Sequence, residues 1–252
     1  MRCLNIGIIS LIWLFSISGM QNSFAQHPNK IPEIEMVEVK GGAFYMGSDD
    51  SDKYAESMEK PKHTVTLDDF HIGKYEVTQK LWETVMGYNP SFHKDDNFPV
   101  SNVSWNDIQI FITRLNKMTK KRYRLPTEAE WEFTARGGIL SKGFEYIGSN
   151  DCDSVVWHFN NSDNLPHEIG LKKPNELGIY DMGGNIQEWV NDNYSRYTLD
   201  SKKNPKGAKS SDIGKIIRGG SFASLPEYGR PAYRCVSNPS FRSQYIGFRL
   251  AQ

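Results

Sequence analysis

From Met36 to Ser48 the chain alternates apolar and polar residues on both sides of Gly41-Gly42 (MVEVKGGAFYMGS), which predicts a hairpin with a glycine turn. Val65, Leu67, Phe70, Ile72, Tyr75 and Val77 continue the alternation, so 63–78 reads as two strands about a bend at Asp68-Asp69. Between these stretches, 49–62 is charged and without period, a surface loop. The spacing then lengthens to that of helices. Thr78 caps QKLWETVM, which stops at Gly87. Ser104 caps WNDIQIFITRLNKMTK, with Trp105, Ile108, Ile112 and Leu115 on one face. Thr127 and Glu130 form a capping box before EAEWEFTAR, and Gly137 lies just past its end.

Beyond Gly138 neither period is sustained. Residues 139–230 are rich in Asn, Asp, Gly and Ser, yet Trp157, Phe159, Tyr180, Trp189, Tyr194 and Tyr197 are spaced through them. Rings at that density predict an ordered region with little regular structure, held by aromatic packing and side-chain-to-backbone bonds. Short strands return at 215–219, 232–237 and 246–251. No repeat at a solenoid period is present.

Composition sharpens this picture. The chain has 252 residues with 38% hydrophobic and 12% aromatic content, so its core must lean on rings. Lys+Arg and Asp+Glu are both 30, which argues against a nucleic-acid binder working by phosphate neutralisation. The basic run KKNPKGAKSSDIGK (202–215) reads as a solvated loop.

The first residues read as a leader. Arg2, the apolar run Leu4–Ile17 and the small-x-small triplet Ser23-Phe24-Ala25 predict a signal peptide over 1–25, a lead-in over 26–35 and one domain over 36–252. Export to the periplasm or cell envelope is expected, with no membrane span after cleavage. Cys152 and Cys235 then remain, either as one disulfide or as two buried thiols. Without a CxxC pair or a Cys/His cluster, a structural zinc site is not expected. The six histidines show no metal spacing, and P-loop, GxGxxG and GxSxG motifs are absent from the sequence.

Eight segments in order carry a family signature: GGAFYMGS (41–48), KYEVTQKLW (74–82), FPVSNVSWNDI (98–108), RLPTEAEWEFTARGG (124–138), KKPNELGIYDMGGNIQEWV (172–190), IRGGSF (217–222), AYRCVS (232–237) and GFRLA (247–251). Together they resemble the formylglycine-generating enzyme, or sulfatase-modifying factor, family over roughly 36–252. The resemblance implies an α+β single domain, related to C-type lectin-like domains and poor in regular secondary structure.

It also implies where chemistry should stand. Oxidising members of the family carry two cysteines in the loop after the GGS motif, which bind copper(I) while oxygen converts a sulfatase cysteine to formylglycine. Soft thiolates suit Cu(I). In GGSFASLPEYGRP the matching positions are Ser224 and Gly229 or Arg230, so copper is not expected here. Neither a serine hydroxyl nor a glycine replaces a thiolate. The resemblance further implies a calcium turn formed by Asp181, Gly184, Ile186 and Glu188, whose oxygens suit a hard cation. The bottom-up alternative is a polar turn in which Asp181 and Asn185 bond backbone amides.

Two readings follow. In the first, the loop region persists as a binding groove lined by Arg218, Ser221, Phe222, Ser224, Tyr228 and Trp189. It would take a peptide or glycan ligand, as a scaffold in a cell-envelope assembly. For Trp189 and Phe222, a place in the core is the simpler expectation. In the second, the protein is a formylglycine-generating oxidoreductase with another ligand set or a cysteine lent by a partner.

Overall fold

Alternation at 36–46 and 63–73 does produce strands, but the glycine pair is not their turn. In the computed structural model, which describes residues 30–252, β1 (Met36–Val39) and β2 (Gly42–Met46) do not pair with each other. Instead β2 pairs antiparallel with β3 (His63–Leu67), and β1 with β4 (Phe70–Gly73). One register runs through both pairs, from Met36 opposite Gly73 to Met46 opposite His63. The four segments are therefore a single long ribbon, kinked where Gly41 meets Asp68-Asp69. A Cβ at Gly41 would stand 2.3 Å from the Leu67 carbonyl, and the Gly41 amide donates to Asp69 Oδ1. The predicted hairpin fails because glycine serves close approach there, while the real turn is the long loop 47–62.

The three helices begin at their predicted caps: α1 (Gln79–Met86), α2 (Trp105–Thr119) and α3 (Glu128–Ala135). Thr78, Ser104 and Thr127 each accept from the backbone three residues on, with full capping boxes at Ser104 and Thr127. The α1 and α2 faces close on a ring-rich core, where Trp82 stacks on Phe111 at 5.0 Å and Phe248 meets both edge-on. Ile31 and Ile34 of the lead-in pack against that core. A second core surrounds Trp131, Phe133 and Met182.

The long aromatic region adds a short helix α4 (Cys152–Val155), a strand β5 (Gln187–Asn193) that alternation does not reveal, and a two-residue strand β6 (Lys202–Lys203). β7 (Lys215–Arg218), β8 (Arg234–Ser237) and β9 (Ile246–Gly247) complete a four-stranded sheet in the order β8-β7-β5-β9. β5 escapes notice because its residues Glu188 to Val190 are all buried, as in a strand covered on both faces. No described helix is long and apolar enough to cross a membrane. The leader expected over 1–25 lies outside the described residues.

Candidate functional site

The GGS segment leaves β7 and turns sharply. Gly219 and Gly220 both have positive φ, 94° and 68°. A Cβ at either would meet backbone, the Met182 carbonyl at 2.6 Å or the Tyr228 carbonyl at 2.8 Å. Ser221 and Ser224 then close on each other. The Ser221 amide donates to Ser224 Oγ at 2.9 Å, and the two hydroxyls lie 3.0 Å apart. The chain around 158–162 seals the inner side: the Phe159 amide donates to the Ser224 carbonyl and Ser162 Oγ to the Phe222 carbonyl. Residues 226–229 form one 3-10 turn. Gly229 at its end is buried, and a Cβ there would stand 2.8 Å from Val156 Cγ1.

Two arginines hold the far end of the loop. Fully buried Arg218 pairs with Glu132 and donates to the carbonyls of Pro231, Ala232 and Tyr233. Arg230 donates to Glu59, Asp52 and the Tyr54 carbonyl. Burial tends to raise the Glu132 carboxyl, but Arg136, Arg218 and the Gly47 amide outweigh it and hold it below its usual range.

The predicted groove is corrected by this packing. Arg218, Ser221, Phe222 and Trp189 are all buried. Arg218 faces Glu132, and the Trp189 indole donates to the Val103 carbonyl, so neither lines a surface. Ser224 is half-buried, while Tyr228 stacks on Tyr233 at 4.5 Å. The side chains that do stand out beside Ser224 are Phe159, 56% exposed, and Leu225, 47% exposed. Sequence reading missed them because an isolated Phe or Leu in an aperiodic stretch carries no sign of which way it faces.

The predicted calcium turn is buried, and its charges are arranged otherwise. Both Glu188 oxygens accept from Arg249, and Oε2 also accepts from the Trp131 indole. Glu76, which sequence reading did not single out, accepts from Asn185 Nδ2 and the Ile186 amide. Asp181 Oδ2 accepts from the Gly170 amide, while Oδ1 is buried with no partner. Burial, with the neighbouring carboxylates, pushes the Asp181 carboxyl up to about 6 and Glu76 well above its ordinary value. Among the described residues no three acidic, His or Cys side chains are grouped to hold a metal ion. Arg249 and Trp131 take both Glu188 oxygens, which leaves Asp181 the one carboxylate of the set Asp181, Gly184, Ile186 and Glu188 open to a cation. A guanidinium already supplies the positive charge at Glu188, and burial works against the charged form of Asp181.

Nor do the thiols replace the missing pair. Cys152 on α4 and Cys235 on β8 are free and half-buried. Burial pushes Cys152 up to about 12 and raises Cys235 as well, so both resist becoming the thiolate that copper requires.

Against this geometry, comparison with known proteins gives one consistent result. A model of the sulfatase-modifying factor enzyme 1-like domain matches residues 21–252. A chaperone protein, LppX of Paenibacillus barcinonensis, is 38% identical over 205 residues, 62% of this chain and 70% of that protein. The formylglycine-generating enzyme of Thermomonospora curvata is 26% identical over 289 residues, 86% of this chain and 92% of that enzyme. Among solved structures, Treponema denticola variable protein 1 superposes with a TM-score of 0.80 at 29% identity, covering 88% of this chain and 96% of that one. The α+β fold, of the formylglycine-generating-enzyme and C-type lectin-like kind, matches expectation.

Proposed function

We infer, from the premise that the chain belongs to the sulfatase-modifying factor family, that it is an exported binding domain built on that family's frame without copper-dependent oxidation. One observation carries this reading. At the second cysteine position, Gly229 or Arg230, neither residue is open to a metal: Val156 stands 2.8 Å from where a Gly229 side chain would begin, and Arg230 is spent on Glu59 and Asp52. The first position, Ser224, spends its hydroxyl on Ser221. A hard, protonated oxygen beside a filled void offers Cu(I) nothing.

What remains is a rigid loop with Phe159 and Leu225 turned outward beside Ser224. Exposed apolar side chains on a fixed frame suit an extended polypeptide. The relative described as a chaperone protein, 38% identical, supports a protein partner over a glycan at this face. The setting proposed is the periplasm or cell envelope, within a larger assembly. Incubation with copper(I), oxygen and a cysteine-containing sulfatase peptide tests the reading. No aldehyde is expected on a hydrazide probe; aldehyde formed at a catalytic rate would sink it.

A further inference from the structure

The basic run that the sequence presents as a solvated loop is fastened down. β6 pairs parallel with β3, Asn204 exchanges side-chain and backbone bonds with Asp68, and Asn193 Nδ2 grips the carbonyls of Ala208 and Lys209. So anchored, the run walls a cavity of about 630 Å³, closed on the other side by α3 and the 195–198 segment. That volume suits a small molecule rather than a lone ion.

The cavity has a cationic rim and an acidic floor. Arg196, Lys202, Lys203 and Lys206 line the rim. Lys203 is paired with Asp68 at 3.1 Å, whereas Arg196, Lys202 and Lys206 have no carboxylate within ion-pair distance among the described residues. Deeper, Glu128 is neutralised by Arg234 at 2.7 Å. Asp192 accepts from the Glu128 amide through Oδ2, and its Oδ1 lies beneath Gly207, 3.1 Å from where a side chain there would begin. Half-buried Ser195 and exposed Thr198 add hydroxyls, and Tyr197, its ring covered by the Arg234 guanidinium at 4.0 Å, also lines the cavity.

We propose that this cavity binds an acidic saccharide, its anionic group held by Arg196, Lys202 and Lys206 and its hydroxyls by Asp192, Ser195 and Thr198. Cations alone would take any anion; a carboxyl acceptor and hydroxyls beside them select a polyhydroxylated one. The site is separate from the loop at Ser224 and does not depend on the polypeptide reading of that face.

Calorimetry of the purified chain with a glucuronate-containing disaccharide, its neutral methyl ester and inorganic phosphate tests this. The acid is expected to bind, with affinity falling as salt is added. The ester, and the acid titrated into a Lys202→Ala/Lys206→Ala variant, should each bind at least tenfold more weakly. Circular dichroism would check that the variant folds. Three results overturn the proposal: no heat from the acid at millimolar concentration, equal binding of ester and acid, or an unchanged affinity in the double variant. Phosphate binding as tightly as the disaccharide would overturn the saccharide assignment.

Discussion

Gly229 shows how one residue decides the chemistry open to a frame. Its missing side chain is filled by Val156, a residue 73 positions earlier whose role no local pattern in the sequence announces. Gly229→Ala should therefore destabilise the fold by about 1–3 kcal/mol through overpacking. Val156→Ala in the same chain should recover part of that, measured by urea unfolding. Asp192 gives a second test at this scale. Burial, chiefly, pushes its carboxyl up to about 7, so the folded state holds a proton that the unfolded chain releases at lower pH. A raised acid favours folding where both states are protonated, and that advantage is lost as pH rises from about 4 to about 7. The loss is on the order of 4 kcal/mol at most. Asp192→Asn should flatten this part of the stability profile. An unchanged slope would contradict the assignment.

Among the elements, the helices were legible and the ribbon only half so. Caps are local chemistry: Ser104 with Asp107 and Thr127 with Glu130 lie three residues apart, and both boxes form. Pairing is not local. Gly41-Gly42 looks like a turn within one segment, and only contact with Leu67 and Asp68 makes it a kink. The groove residues were misread for a related reason. Arg218 and Trp189 sit in motifs, but motif membership does not distinguish a side chain that touches ligand from one that holds the frame. Arg218 ties β7, α3 and the end of the loop together through Glu132 and three carbonyls. Arg218→Met leaves Glu132 short of its partner and frees those carbonyls, a loss expected near 3–5 kcal/mol. The double change with Glu132→Gln should cost less than the single one, because the buried carboxylate is gone while the amide oxygen can still accept from Arg136 and the Gly47 amide.

For the whole molecule, the cluster of Glu76, Asp181, Glu188 and Arg249 stands where the family resemblance implies a calcium ion. The donor set was legible by position, but its charge balance was not, because Arg249 arrives from the far end of the chain. Chelation by EDTA should accordingly leave the melting temperature unchanged; a fall of several degrees would restore calcium to the structure. The fold itself was readable through a family resemblance that eight motifs in order carry, and the family match bears it out. The function was less so, since it turns on what the frame lacks. The most direct measurement is a competition titration of the reduced protein with Cu(I) against a chromogenic chelator. The account predicts no stoichiometric site that outcompetes the chelator, because Cys152 and Cys235 are half-buried thiols whose burial works against the thiolate. One tight Cu(I) equivalent per chain, lost on changing residues of the Ser224 loop, would contradict it.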